Sequence, residues 1–143
     1  MRAEFRLTIR NTLEEIPPAT ELAAGWLLTR GVAEHHTHFA RLVIDEVVSN
    51  CVKYGYRDTI EHSIDIELGH DGENILVVII DDGHPFNPLE HPEPDTSLPI
   101  EDRPIGGLGI HLLRKMADHI EYDRTDGRNR LTLLKSTTRS SNP

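Results

Sequence analysis

One cysteine, Cys51, stands in the whole sequence, so no intrachain disulfide can staple the fold. That fits a reducing compartment. Long apolar runs are missing as well, so no segment reads as a membrane span. The N-terminus places Arg2, Glu4 and Arg6 between apolar residues and lacks a signal-peptide core. The expected location is therefore cytoplasmic, without a membrane partner. Basic charge is scarce too: 15 Lys and Arg stand against 24 Asp and Glu, a net charge of −9. Duplex binding needs a basic face, so nucleic acid is not expected as a direct partner. No internal repeat is visible.

What remains is a chain of 143 residues with a moderate apolar fraction, enough for one folded domain around one core. Phe5, Leu7 and Ile9 alternate with Arg6, Thr8 and Arg10, the pattern of a half-buried strand. Pro17 and Pro18 open a helix that runs to about Gly31, with Leu22, Trp26 and Leu27 as its apolar positions. A longer helical stretch covers about Glu34 to Tyr54 and ends at Gly55. Residues 62–69 alternate again, Asp71-Gly72 signals a hairpin, and Ile75 to Ile80 reads as a central strand covered on both faces. Residues 84–104 hold six of the nine prolines and little periodicity, which suggests a functional lid over about 84–105. A helix from Ile110 to about Asp118 and strands near 119–124 and 130–136, joined by Asp126-Gly127, close the domain. The order predicts an α+β, two-layer α/β sandwich: a mixed, mostly antiparallel sheet with helices on one face. The domain spans residues 1–137, with a loose tail at 138–143.

Three clusters carry chemistry. On an ideal helix Glu46, Asn50 and Lys53 project within roughly 60° of one another. A carboxylate, an amide and an ammonium then share one patch, bordered by Phe39 and Leu42. An amide oxygen suits Mg²⁺, an ammonium can face a phosphate, and a carboxylate can take a proton. Read alone, the segment also describes a solvated polar arc extended by Asp45 and Ser49, with Ile44 and Val48 toward the core. Second, Asp81-Asp82-Gly83-His84-Pro85-Phe86 puts a carboxylate where a buried strand ends. Such a group can accept from a base's exocyclic amine, and Gly83 lets a flat ring approach the backbone. A tight acidic turn gives the same letters. Third, Gly106-Gly107-Leu108-Gly109 precedes a helix, whose N-terminal amides and dipole favour an anion. A flexible hinge is the plainer account. No P-loop lysine follows these glycines, which argues against a Walker-type site. His35, His36 and His38 read as solvated rather than as metal ligands. Trp26 reads as packing and Cys51 as a small buried residue rather than a nucleophile.

Taken together and in this order, the clusters resemble the GHKL ATP-binding superfamily, and within it the anti-sigma factor serine/threonine kinases. The N box resembles Asp45-Glu46-Val47-Val48-Ser49-Asn50. The first glycine box resembles Asp81 to Pro88, and the second resembles Arg103 to His111. The closing Gly127-Arg128-Asn129-Arg130-Leu131-Thr132-Leu133 fits the same branch. Tyr54 stands where many members of the branch have a histidine.

The resemblance implies a Bergerat fold with ATP and Mg²⁺ as cofactors. It implies that Asn50 coordinates Mg²⁺, Glu46 is the general base and Asp81 contacts the adenine amine, with Gly83 against the ring. It places Gly106, Gly107, Leu108 and Gly109 along the phosphates, Lys53 at a phosphate, and Thr132 in support of the adenine. The implied partners are a sigma factor, which the protein sequesters, and an anti-anti-sigma factor, which it phosphorylates on serine or threonine; a homodimer is also implied. Two alternatives stay open at this point. One is a nucleotide-binding module that acts by protein–protein contact without transfer, and the other is a stand-alone ATPase.

Overall fold

The side chains of Phe5, Leu7 and Ile9 do face one way, and they start a five-stranded sheet. The computed structural model of the protein describes residues 1–90 and 107–138, and the side chains of 107 and 108 are outside that description. Its strands are β1 (Phe5–Arg10), β2 (Ser63–His70), β3 (Asn74–Asp81), β4 (His119–Thr125) and β5 (Arg128–Ser136). They lie in the order β1-β2-β3-β5-β4, and every pairing is antiparallel. The expected sandwich is present, without the parallel pair that a mixed sheet would contain.

The helices follow local signals. Helix α1 (Ile16–Thr29) has proline in its first turn and stops before Gly31, whose φ of +85° suits a residue without a Cβ. Its core face is Ile16, Ala19, Ala23, Ala24 and Leu27. Leu22, expected inside, is 56% exposed; the small alanines let α1 lie close to its neighbours instead. Trp26 packs at the edge, stacked on Phe5 with ring centres 5.6 Å apart. Helix α2 (Glu34–Val43), a π-helical turn (Ile44–Val48) and α3 (Ser49–Tyr54) together form the long helical stretch read from the sequence. Such a turn adds a residue to the helical repeat and so rotates the residues beyond it. Helix α4 (Gly107–Met116) begins at the glycines rather than after them.

Helices and sheet bury one main core, which contains Leu27, Val43, Ile44 and Val48 from the helices and Ile64, Ile66, Leu68, Val77 and Leu133 from the strands. Strand β3 is central and buried on both faces. On its outer face Leu76, Val78 and Ile80 form a second, small cluster with Ala3 and Leu134. No described helix covers it. Long charged side chains do so: Glu67 reaches Arg6 at 3.4 Å and Arg130 at 3.8 Å, while Arg128 pairs with Asp65. The Asp126-Gly127 turn has both residues at positive φ, as a two-residue hairpin requires. At the other hairpin Asp71 Oδ1 accepts from the backbone of Glu73 and Asn74. Among the described residues no helix is long and apolar enough to cross a membrane. Most of the segment read as a lid, Gly106, and most of the tail lie outside the described residues.

Candidate functional site

A cavity of about 270 Å³ lies between the helical layer and one end of the sheet. Val47, Ile110, Ile79 and Leu131 give it apolar walls, and Asn50, Asp81 and Asn129 supply its polar groups. Tyr54, His84, Phe86 and Pro88 also line it, with Tyr54 and Phe86 partly open to solvent. A slot of this kind, mostly apolar with a few fixed polar groups, suits a flat heterocycle.

Asp81 closes the slot. It ends β3 opposite Asn129 of β5 and is only 8% exposed. A carboxylate so placed must be compensated by donors. Its Oδ1 accepts from the Gly83 backbone N–H at 2.8 Å and the Asn129 amide at 3.0 Å. Among the described residues its Oδ2 accepts only from the Cys51 thiol, at 3.3 Å, and a thiol is a weak donor. The two oxygens are therefore unequal: one is committed to the fold, and the other retains acceptor capacity at the cavity.

Asn129 fixes that inequality. Its amide N–H groups also reach the His84 carbonyl at 2.9 Å. Its oxygen accepts from Tyr122 Oη and, at 2.9 Å, from Arg124, which also donates to the Gly83 carbonyl at 3.1 Å. Every polar position of the Asn129 side chain is thus used. Burial, and then the Asp81 charge, push the Cys51 thiol well up, so it stays protonated and acts as a donor.

The loop after β3 is tied to the end of α3. His84 donates its backbone N–H to the Gly55 carbonyl at 3.0 Å, and its Nε2 meets the Tyr54 carbonyl at 2.7 Å. A Cβ on Gly83 would stand 2.5 Å from the Gly55 carbonyl oxygen and 2.9 Å from Asp81 Oδ1. The glycine is thus required by this backbone contact, and not only by any ring in the slot. Behind Asp82, the His62 ring lies between two carboxylates, with Nε2 2.8 Å from Asp58 and Nδ1 3.1 Å from Asp82. Both partners are acceptors, so the ring donates to both only when it carries two protons. The bond to Asp58 and then that to Asp82 raise its pKa against the opposing effect of desolvation. The ring stacks on Tyr56 at 4.3 Å. The Tyr56 hydroxyl is buried without a hydrogen-bond partner among the described residues, and burial pushes its pKa up.

The first cluster is divided by the π-helical turn. Asn50 lines the cavity. Glu46 lies inside the turn, half-buried, with its carboxylate against Gly109 at the start of α4. Lys53 follows Asn50 by three residues on α3, is exposed and does not line the cavity, so of the patch drawn on an ideal helix only Glu46 is set off by the turn. Gly107 is itself the first residue of α4, three residues before the helix start expected at Ile110. Gly106, and the side chain of Leu108, lie outside the described residues. Thr132 does not reach the cavity face. It pairs with Val78 and shares that residue's face, the side of the sheet away from the helices. Asn129 and Leu131 take the cavity face of β5 instead. Strand alternation from Leu131 and Leu133 would have found this. Among the described residues no three His, Cys, Asp or Glu side chains gather into a metal-holding group, and His35 and His36 pack on each other at the start of α2.

The chain is similar to known proteins. The chain is 28% identical over 92 residues to the serine/threonine-protein kinase BtrW of Bordetella bronchiseptica, covering 64% of this chain and 65% of that protein. It is 27% identical over 124 residues to the serine-protein kinase RsbW of Bacillus cereus, covering 79% and 77%. A crystal structure of the RsbU and RsbW domains of a Mycobacterium tuberculosis protein superposes with a TM-score of 0.62 at 18% identity, over 96% of this chain and 34% of that one. The match thus spans just under two thirds of the Bordetella kinase (65%) and about a third of the mycobacterial chain (34%). The model of the histidine kinase-like ATPase domain matches residues 9–135, nearly the whole chain, and the protein belongs to that family.

Proposed function

We propose that the protein binds ATP with Mg²⁺ and phosphorylates a serine or threonine of a protein antagonist, while holding a sigma factor in complex. The observation that carries the nucleotide reading is the unequal Asp81 carboxylate. Among the described residues Oδ2 has only a weak thiol donor, and Asp81 lines a mostly apolar slot, so an exocyclic amine is the group that would complete it. Adenine presents such an amine on a flat apolar ring.

The remaining residues fit the rest of the nucleotide. Asn50 brings an amide oxygen to the same cavity, suited to a hard cation that keeps waters and phosphate oxygens as its other ligands. The first backbone amides of α4 give a place for phosphate oxygens. When bound, ATP supplies the phosphoryl group and Mg²⁺ neutralises its charge. Glu46, at the same helix start, would accept the proton of the attacking hydroxyl. Such transfer depends mainly on positioning and charge neutralisation, which these few groups supply. The names of the two kinases support a serine or threonine acceptor. The choice of a sigma factor and an anti-anti-sigma antagonist of small α/β fold follows from the resemblance of the three motifs.

Two experiments test this reading. ATP titration with and without Mg²⁺ should show binding that Asp81→Asn largely removes; unchanged affinity in that variant would refute the adenine site. Labelled ATP with a candidate antagonist should transfer phosphate, and Glu46→Gln should abolish the transfer. Full transfer by Glu46→Gln would exclude it as the base, whereas tight ATP binding without transfer to any candidate would leave a binding module.

A further inference from the structure

The contact between Glu46 and α4 makes a specific demand on the sequence. A Cβ placed on Gly109 would overlap Glu46 Oε2 outright, and would stand 2.5 Å from its Cδ and 3.0 Å from its Cγ. All three of those atoms belong to the Glu46 side chain, and no backbone atom is among the three nearest. By contrast Gly25, also helical, has open space around the same construction. The Glu46 carboxylate has no hydrogen bond among the described residues, since only its backbone carbonyl serves as an acceptor, from Ser49. Its place is therefore set by packing: the π-helical turn delivers it, and the bare backbone of Gly109 receives it.

We infer that Gly109 is a positioning residue for the proton acceptor, its missing side chain forming the seat in which the Glu46 carboxylate rests. The inference deepens the proposed function, because it rests on Glu46 being that acceptor. It gives the two helix-opening glycines different duties. Gly107 leaves the helix start open to an anion, while Gly109 shapes the position of a carboxylate. A methyl group at 109 displaces only the end of a flexible side chain, so the fold should survive while the carboxylate moves. A displacement of this size at a reacting group costs on the order of 100-fold in rate, and it leaves the adenine end untouched.

The test uses the full chain, with MgATP hydrolysis to ADP and phosphate as the probe. Gly109→Ala should lower turnover at saturating MgATP by about tenfold or more, with ATP affinity within about threefold of wild type. Gly25→Ala serves as the control for adding a methyl to a helix and should leave both unchanged. Glu46→Gln should itself lower turnover, and adding Gly109→Ala to it should cost little more, since both changes act through one carboxylate. If Glu46→Gln turns over normally, the base assignment fails. If Glu46→Gln is impaired and Gly109→Ala is not, the seating inference alone fails. A second readout does not depend on turnover: the carboxyl carbon of Glu46, labelled with ¹³C, should shift in Gly109→Ala and not in Gly25→Ala. An unmoved resonance would overturn the inference. Should Gly109→Ala fail to fold, the double variant with Glu46→Ala removes all three clashing atoms and should restore folding; failure of both would show that the glycine serves backbone packing instead.

Discussion

The two ends of the cavity are built on different principles. At the Asp81 end, neighbouring antiparallel strands hold a carboxylate and an amide opposite each other, and hydrogen bonds from Gly83, Asn129, Tyr122 and Arg124 fix both. At the Glu46 end, a π-helical turn presents one carboxylate to a glycine, and packing alone locates it. Ladder and network at the first end tolerate little motion, since each displaced group leaves a buried partner unsatisfied. The second end can shift at small cost. A site that grips one part of its ligand and must let another part react has reason to divide its rigidity in this way.

Substitutions should respect that division. The largest effect is expected at Asp81. Asp81→Asn places an amide where an acceptor is needed, and ATP affinity should fall by about 2–3 kcal/mol, roughly 30- to 150-fold, in a calorimetric titration. Asn129→Ala comes next. It removes two donated bonds and leaves Tyr122 and Arg124 without their shared acceptor, so thermal or urea unfolding should show a loss of about 2–3 kcal/mol. Affinity for adenosine, which has no phosphates, should fall with it, because Asp81 loses its partner. If Asn129→Ala were as stable as wild type and bound adenosine normally, the rigid end would not be rigid for the reason given. Thr132→Val should change ATP affinity by less than about twofold, since its side chain lies on the other face of β5. A large loss there would break the assignment of faces.

The same contrast separates what could be read in the sequence from what could not. Strand β3, its burial on both faces and the carboxylate at its end follow from Ile75 to Asp81 alone, because a continuous apolar run cut by Asp-Asp-Gly has few other solutions. The helical stretch from Glu34 to Tyr54 and the Asp126-Gly127 hairpin were equally legible from periodicity and turn chemistry. The spacing from Glu46 to Asn50 misled because ideal 3.6-residue geometry was applied across a turn that does not obey it, and nothing in Ile44-Asp45-Glu46-Val47-Val48 announces a π-helical turn. Thr132 misled for a different reason: its hydroxyl drew attention, although period-two alternation with Leu131 and Leu133 puts it outside. The roles of Asn129, Tyr122 and Arg124 required the register of β3, β4 and β5, a long-range property that local sequence does not carry. The seat of Glu46 at Gly109 joins residues from two helices far apart in the chain, and only their packing reveals it.

The smallest expected effect lies behind the rigid end. His62 joins Asp58 to Asp82, the residue next to Asp81, and its pKa is raised above the ordinary 6.5. A raised folded-state pKa means that the native protein binds the proton more tightly than the unfolded chain. The stabilisation is therefore fully present below about pH 6.5 and is lost as pH rises through the folded value. Melting temperature should decline over that window in the wild type, and the His62→Gln variant should lack this part of the slope. Because the clamp steadies the strand end that carries Asp81, adenosine affinity should weaken over the same window, by less than about threefold for so exposed a pair of carboxylates. Cys51 does not confuse the measurement, since its thiol is pushed up and stays protonated throughout. A wild-type melting profile that matches His62→Gln at every pH would mean that the two carboxylates hold the ring no more tightly than water does, and that the network around Asp81 needs no support from this side.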